Sequence, residues 1–324
     1  MNLVCLGEYL VDFFPEEVGR ALTDVSSFHP KPGGAPANVA VAASRLGYAS
    51  AFIGKVGQDA FGSYLARILT REKVETRGLR FDPIVHTTLV FLSKPDVNSY
   101  ECLFYRNPGA DTCLRPDELD EGLLRETRAF QFGSLSLTDE PSRSATFAAI
   151  SIARQAGALV CYDVNFRPTL WKDVDEARQT ALTVVPLVDM VKVNNTELVL
   201  LAGNEPMEAA ARKLRSHGPE ICVVTYGEQG SYIQTSSGDA FVPAFLVEAV
   251  DATGCGDSFL AALLCKMTES PNWRPKLHPK NLQNLLRYAN AVGALAATQL
   301  GTMTAFPTAD QLDDFLRSFH EREH

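Results

Sequence analysis

This 324-residue chain is defined first by what it has little of. Its six histidines are scattered, and a zinc site needs several ligands close in sequence or spacing. The seven cysteines are odd in number and never fall in a C-x-x-C. Most of these seven (Cys5, Cys102, Cys113, Cys161, Cys222, Cys255 and Cys265 in all) lie in apolar runs, as reduced core thiols of a cytoplasmic protein do. No segment is dense in Lys and Arg, and 30 basic residues face 39 acidic ones for a net charge of −9. A nucleic-acid partner is therefore not expected, because a polyanion is met by a basic face. No apolar run reaches membrane-spanning length, and a membrane role is not expected. The opening MNLVCLGEYLVDFF is apolar but carries Glu8 and Asp12 and lacks a basic start, so it reads as a core strand rather than a signal peptide. Internal repeats, low-complexity tracts and disordered stretches are absent. So is a Walker A loop, since no Gly-Lys-Ser/Thr follows a glycine-rich turn, and no G-x-G-x-x-G follows a strand.

What is present is ordinary for a globular enzyme: 46% hydrophobic and 21% charged residues, with 22 glycines and 18 prolines spread along the chain. The length suits one large domain with a smaller appendage, or two modest domains. The recurring unit is a short apolar run, a turn, then a longer amphipathic segment. Strand-like runs fall at Leu3–Leu6, Ala51–Val56, Ala129–Phe132, Ala158–Tyr162, Met190–Val193 and Ile221–Thr225. Helical segments with start and stop signals lie between them: Pro36–Leu46 ending at Gly47, Ala60–Arg71 capped by Asp59, and Pro141–Gln155 ending before Gly157. That alternation predicts a mostly parallel, doubly wound α/β sheet. Two segments break it. Thr88–Ser93 and Tyr100–Tyr105, joined by Lys-Pro-Asp-Val-Asn-Ser, read as a hairpin. Leu10–Phe14 and Ser26–Pro32 lack helical partners, and together these pieces predict a small separate β-sheet. From about Ala240 onward the chain reads as chiefly helical, with candidates at Ser258–Thr268, Pro279–Gln299 and Ala309–His320.

Two glycine turns carry the chemistry. In Asp251-Ala-Thr-Gly-Cys-Gly-Asp257, Gly254 and Gly256 allow close backbone approach to a ligand. The helix that follows aims unpaired N–H groups and its positive dipole end at the same place. Anion binding of this kind needs no net positive charge. Asp257, at the helix start, is either a base that takes a hydroxyl proton or a simple N-cap, and a G-x-G-D alone supports both. In Gly33-Gly34-Ala-Pro-Ala-Asn38, the turn again permits close approach, and Asn38 offers a donor and an acceptor suited to sugar hydroxyls, though a plain loop-to-helix turn would look the same.

Taken in order, the motifs resemble the ribokinase-like (PfkB) carbohydrate kinases. Gly33-Gly34-Ala-Pro-Ala-Asn38-Val-Ala40, with Gly47 and Gly57, resembles the family's first signature, and Asp251–Leu264 its second. Between them Asn194-Asn-Thr-Glu197 matches N-x-x-E, and Thr225-Tyr-Gly227-Glu-Gln-Gly230 matches T-x-G-x-x-G. Gly7-Glu-Tyr-Leu-Val-Asp12-Phe, Phe52–Gly57, Phe104-Tyr-Arg106-Asn-Pro-Gly-Ala-Asp111 and Tyr162-Asp-Val-Asn165-Phe-Arg167 with Trp171 are similar to the fructokinase branch. Kinases for 2-keto-3-deoxygluconate share several of these patterns.

The resemblance implies a single three-layer α/β/α domain over residues 1–324, with a small β-sheet lid inserted from about 10–32 and 86–108. It implies an ATP-dependent sugar kinase, with fructose the expected sugar. 2-Keto-3-deoxygluconate or ribose are the alternatives within the class, and a sugar-binding regulator on the same fold is the alternative outside it. Asp257 would take the acceptor proton while the backbone of Gly254, Cys255 and Gly256 stabilises charge. Asp12, Gly33, Gly34, Asn38, Arg106 and Arg167 would hold sugar. Asn194, Thr225, Gly227, Gly230, Gly254, Gly256 and Asn290 would line the nucleotide. Glu197 with Asn194 would organise Mg²⁺ through water, and Asp251 with Thr253 would form a K⁺ site. Lid pairing implies a homodimer. The sequence departs from the family pattern at Ala252, where threonine is usual, leaving potassium dependence open, and at Cys255, where alanine is usual. A thiol at a helix N-terminus is expected to have a lowered pKa and to be open to inhibitory oxidation or alkylation.

Overall fold

The apolar runs become strands of one large sheet in the computed structural model, which describes residues 1–17, 19–93 and 101–322. In chain order the strands are β1 (Leu3–Leu6), β2 (Leu10–Pro15), β3 (Phe28–Gly33), β4 (Ser50–Gly57), β5 (Glu75–Asp82), β6 (Leu89–Ser93), β7 (Glu101–Tyr105), β8 (Ala129–Gly133), β9 (Leu159–Asp163), β10 (Met190–Asn194), β11 (Ile221–Thr225), β12 (Ser231–Thr235) and β13 (Asp239–Val242). The helices are α1 (Ala35–Arg45), α2 (Ala60–Arg71), α3 (Glu121–Glu126), α4 (Ser142–Gln155), α5 (Val174–Val184), α6 (Asn195–Ala202), α7 (Met207–Arg215), α8 (Cys255–Met267), α9 (Pro279–Ala297) and α10 (Ala309–Arg322).

Among the described residues the main sheet runs β13-β12-β11-β10-β9-β8-β1-β4-β5. It is parallel from β11 through β5 and antiparallel only at the β12 and β13 edge. Alternate side chains of each strand point to opposite faces, which is what makes three layers. Leu3, Cys5, Leu159, Cys161, Ile221 and Val223 pack with α1, α8 and α9 residues such as Val39, Leu260 and Leu286. Val4, Leu6, Phe130, Phe132, Val160, Tyr162, Val191 and Val193 pack on the other face with Ala145, Ala149, Leu198 and Leu214. The expected α/β/α architecture is what the chain adopts.

The second sheet has the order β3-β2-β6-β7 and stands apart from the first. Leu10–Phe14, Ser26–Pro32 and Thr88–Ser93 supply its strands to within two residues. The Lys-Pro-Asp-Val-Asn-Ser turn lies outside the described residues. The chain is not chiefly helical right from Ala240, since β13 continues to Val242, and β5 and β12 were not expected at all.

Candidate active site

The strand order reverses at β1, which has β8 on one side and β4 on the other, so loops leaving the carboxyl ends of β1 and its neighbours diverge and leave a crevice. Every group described below sits at that edge of the sheet or on the second sheet above it.

Helix α8 is buried on all sides from Ser258 to Cys265, between α1 and α9, so its N-terminus is held rigidly. Gly254 precedes it in the left-handed conformation (φ 78°), and a Cβ there would lie 2.6 Å from Thr302 Cγ2 and 2.9 Å from the Phe306 ring. Only glycine fits. Gly256 faces the crevice instead. Asp257 enters the first turn of α8 without capping it; its Oδ2 accepts a 2.8 Å hydrogen bond from Asn38 Nδ2 of α1. The N-cap alternative for Asp257 is thereby removed. Burial and the nearby Asp163 charge push its pKa up to about 6, against the Asn38 hydrogen bond and the charges of Lys192 and Arg167. That is a carboxylate poised to exchange a proton near neutrality.

Cys255 departs from expectation. Burial, then the charges of Asp251 and Asp257, push its thiol up to about 12 rather than down, and Sγ lies 3.8 Å from the Asp251 carbonyl oxygen. Burial, with two carboxylates behind it, outweighs any pull of the helix start. Asp251 Oδ1 accepts from the Thr253 amide and hydroxyl, and Oδ2 from the Gly301 amide. Burial opposes its charge, yet those hydrogen bonds hold its pKa below the ordinary carboxylate value.

On the side of the second sheet, Asp12 of β2 lies against Gly33 so closely that a Cβ on Gly33 would overlap the Asp12 carboxyl group. Gly34 has φ 107°, and a Cβ there would overlap the Glu8 carbonyl oxygen. The paired glycines are thus demanded by close approach of three chain segments. Burial pushes Asp12 up to about 7, with Arg167 opposing and Asp257 adding to the rise. Arg167 is exposed, donates to Asn165 Oδ1 at 2.7 Å, and its charge is felt at both Asp12 and Asp257. The side-chain carbonyl oxygen of Asn38 is buried and has no partner among the described residues. Asp12, Asn38, Arg167 and Asp257 therefore converge on one space, with an acceptor left over for a ligand hydroxyl.

Arg106 does not join them. Its side chain is 3% exposed, with Nε donating to Asp111 Oδ2 at 2.7 Å, one terminal nitrogen to Thr138 Oγ1 and the other to the Leu135 carbonyl oxygen. Asp111 also accepts from the Thr88 hydroxyl. The guanidinium ties the end of β7 to the loop after β8, which corrects its expected place among the sugar ligands. Asn290 is a second correction: Oδ1 accepts from Ser231 Oγ at 2.8 Å and Nδ2 donates to the Val242 and Pro243 carbonyls. Its polar atoms fasten α9 to β12 and β13 instead of facing a nucleotide.

Glu197 and Asn194 form a reciprocal capping box on α6, each accepting the other's backbone N–H at 2.8 Å, and Glu197 Oε1 also accepts from the Phe166 amide. Burial and Asp163 raise the Glu197 pKa, with Lys192 opposing. The helix-start role is therefore real, and each carboxylate oxygen keeps a lone pair beyond its one amide. No group of three acid, imidazole or thiol side chains converges on a metal position among the described residues. Thr225 ends β11, and the turn after it depends on Gly227 (φ 55°) and Gly230 (φ 124°). A Cβ on Gly230 would overlap the Val242 carbonyl oxygen, while Gly227 faces open space.

Three charged residues were missed by the sequence reading. Lys192 of β10 donates to Asp163 of β9 at 2.9 and 3.2 Å, and both are buried. Burial works against the ammonium, but Asp163 and Glu197 more than offset it. Glu8, buried between β1 and β2, accepts from the Ala35 amide and has one oxygen without a partner among the described residues; burial pushes it up to about 7. A charged residue inside an otherwise apolar parallel strand (Met-Val-Lys-Val-Asn) was the available signal for Lys192.

Residues 1–309 match the pfkB family carbohydrate kinases. A probable fructokinase-2 of Arabidopsis thaliana is 42% identical over 316 residues, covering 97% of this chain and 95% of the relative. A fructokinase from Xylella fastidiosa with bound ATP superposes with a TM-score of 0.90 at 30% identity, over 98% of this chain and 99% of the other. A double-mutant fructokinase from Vibrio cholerae O395, with fructose, ADP and potassium bound, gives 0.86 at 32% identity over 97% and 98%.

Proposed function

The chain belongs to the pfkB family of carbohydrate kinases, and we propose that it transfers the γ-phosphoryl group of ATP to the 6-hydroxyl of D-fructose with Asp257 as general base. The observation that carries the reading is the Asp257 carboxylate. Its pKa is pushed up to about 6, Asn38 orients it, and it stands between the crevice that holds Asp12 and Arg167 and the start of α8. Fructose is the sugar of the relatives compared above.

The acceptor hydroxyl would lie against Asp257, with Asp12, Asn38, Arg167 and the backbone at Gly33 and Gly34 holding the remaining hydroxyls. Asp257 takes the proton as the sugar oxygen attacks the γ-phosphorus in line. The Gly254–Asp257 backbone meets the charge that develops, an effect typically worth about 3 kcal/mol per donor. Thr225, Gly227 and Gly230 would line the nucleotide. The residues present fit a hydrated Mg²⁺: Glu197 and Asn194 keep free lone pairs but offer no direct ligand cage, as suits an ion that keeps its water. Such an ion would neutralise phosphate charge. Asp251, held ionised by its hydrogen bonds, with Thr253 supports a K⁺ site.

The second sheet, with residues from about 10–32 and 86–108, would serve as a lid that excludes water during transfer. Its outer face carries Phe28, Phe91, Leu103 and Tyr105, the last two 45% and 62% exposed, and this supports a homodimer through the lid, testable by light scattering. No helix among the described residues is long and apolar enough to cross a membrane. Seven free thiols support the cytoplasm as the compartment. A coupled assay across fructose, 2-keto-3-deoxygluconate, ribose and glucose tests the assignment. Absence of a rate on fructose overturns it, and a rate on the sugar acid alone would hand Arg167 to a carboxylate. Near-normal turnover by Asp257→Ala overturns the mechanism.

A further inference from the structure

We propose that Lys192 is a further catalytic residue, whose ammonium meets the phosphoryl group in flight from the side opposite the backbone N–H groups of the Gly254–Asp257 turn. The inference rests on the reading of that turn as the place where phosphoryl charge develops.

Lys192 lies in β10 between Val191 and Val193, and its Nζ reaches over to Asp163, its register partner on β9. It also reaches α8. Nζ is 3.5 Å from where a Cβ on Gly256 would stand, and among the described residues no other heavy atom beyond the adjoining residues and the nearby α8 backbone comes within 4 Å of that point. The ammonium therefore lies on the open face of the turn, at the edge of the crevice.

Burial disfavours the ammonium, but Asp163, Glu197 and Asp257 hold it protonated in the empty protein. The start of a 13-residue helix carries partial positive charge, and a buried ammonium beside it is disfavoured by the same field that attracts anions. Asp163 supplies the largest compensating charge, with Glu197 and Asp257 behind it. An ammonium has three N–H donors, however, and Asp163 is the only hydrogen-bond partner of Lys192 among the described residues. Two sources of positive potential thus face one volume, with an unused donor available. The group that satisfies both is an anion between them. Asp163 acts as a positioning residue that neutralises and aims the lysine until that anion arrives.

The step balances without proton transfer from the lysine. The sugar oxygen forms its bond to the γ-phosphorus, and the bond to the β,γ-bridging oxygen breaks with its electron pair staying on ADP. The hydroxyl proton goes to Asp257. Lys192 keeps its protons and donates a hydrogen bond to a phosphoryl oxygen whose charge changes along the path.

Lys192→Met tests this, together with Lys192→Met/Asp163→Asn, which removes the buried carboxylate charge left behind by the first change. Both should bind fructose and ATP within about threefold of the parent enzyme by calorimetry. Turnover should fall about 100- to 1,000-fold, the usual loss on deleting one transition-state donor. The ratio of rates with ATP and with ATPγS should fall in the variants, because sulfur is a poorer acceptor for an N–H that the variants no longer have. Turnover within about threefold of parent in either variant overturns the proposal. So does a loss of turnover matched by lost binding with an unchanged thio ratio, since that is a structural effect. Asp257→Ala separates the two readings. If it keeps turnover, the underlying assignment fails; if it is inactive while Lys192→Met is active, only the lysine inference fails.

Discussion

Deleting the Asn38 side chain should move the acid limb of the pH–rate profile toward alkaline pH. Asp257 works as a carboxylate, so turnover is lost as pH falls through its pKa, which stands at about 6 in this structure. Asn38 contributes to that value in one direction only. Its amide donates to Asp257 Oδ2 at 2.8 Å, favouring the ionised form, and its own carbonyl oxygen has no partner among the described residues, so Asn38→Ala removes one internal hydrogen bond there and nothing else polar. A hydrogen bond to a charged group contributes about 1.5–3 kcal/mol. At about 1.4 kcal/mol per pKa unit, its loss raises the pKa by roughly 1–2 units. The acid limb should shift from near pH 6 to about pH 7–8. Alanine at this position also suits the interior of α1, so the fold should persist.

The assay is kcat at saturating fructose and ATP between about pH 5 and 9, because kcat reports groups in the ternary complex. The ratio kcat/KM is the wrong readout here, since Asp12, pushed up to about 7 by burial, titrates in the free enzyme within the same range. An acid limb that stays in place in Asn38→Ala, or that moves to lower pH, refutes the assignment of Asp257 as the base held by Asn38.

Cys255 should be unreactive: with its thiol pushed up to about 12 from 9.0, it holds about a thousandfold less thiolate than a free cysteine. Iodoacetamide labelling followed by mass spectrometry should find it modified far more slowly in the folded enzyme than after unfolding. Arg106→Ala should cost about 3–5 kcal/mol of unfolding free energy, because it strands the buried Asp111 carboxylate. A rise in the fructose KM with an unchanged urea midpoint would return Arg106 to the sugar site. Glu8→Gln should stabilise the fold at pH 8 but not at pH 5. The Glu8 pKa is about 7 folded and near 4.5 unfolded, so the folded state holds the extra proton and stability falls as pH rises across that window, by on the order of 2–3 kcal/mol in total. Equal melting shifts at both pH values would refute it.

The fold was legible wherever a strand was apolar on both faces. β1 and β11 have the expected bounds and four other strands lie within a residue or so, because a parallel strand covered by helices leaves an uninterrupted apolar run. Of the strands that went unread, two are of another kind: β5 at one edge is Glu-Thr-Arg-Gly-Leu-Arg-Phe-Asp and β13 at the other is Asp-Ala-Phe-Val, each half solvated and without a run to find, while buried β12, Ser-Tyr-Ile-Gln-Thr, is interrupted by polar residues. Edge strands take their identity from a neighbour's unpaired hydrogen bonds, and a neighbour is not a local property of sequence.

The same distinction separates the site residues that could be read from those that could not. Gly34, Gly254 and Asp257 announce themselves, because a glycine that must approach another segment, or an acid at the start of a helix, is constrained by its own short stretch of chain. Asp163 and Lys192 are defined by pairing across two adjacent strands, and Asn38, legible as a candidate beside its glycine turn, owes its hold on Asp257 to a pairing 219 positions away. Arg106 and Asn290 show the converse error. Each lies in a stretch that looks suited to a ligand, and each is consumed by protein partners that only the fold brings near. A polar side chain is free for substrate only if nothing in the folded chain claims it first. Among the described residues the unclaimed groups of this crevice include the Asn38 carbonyl oxygen and the third donor of Lys192, one facing the sugar side and one facing the start of α8. Asp257 stands between them, in position to receive a proton from one side while charge develops on the other.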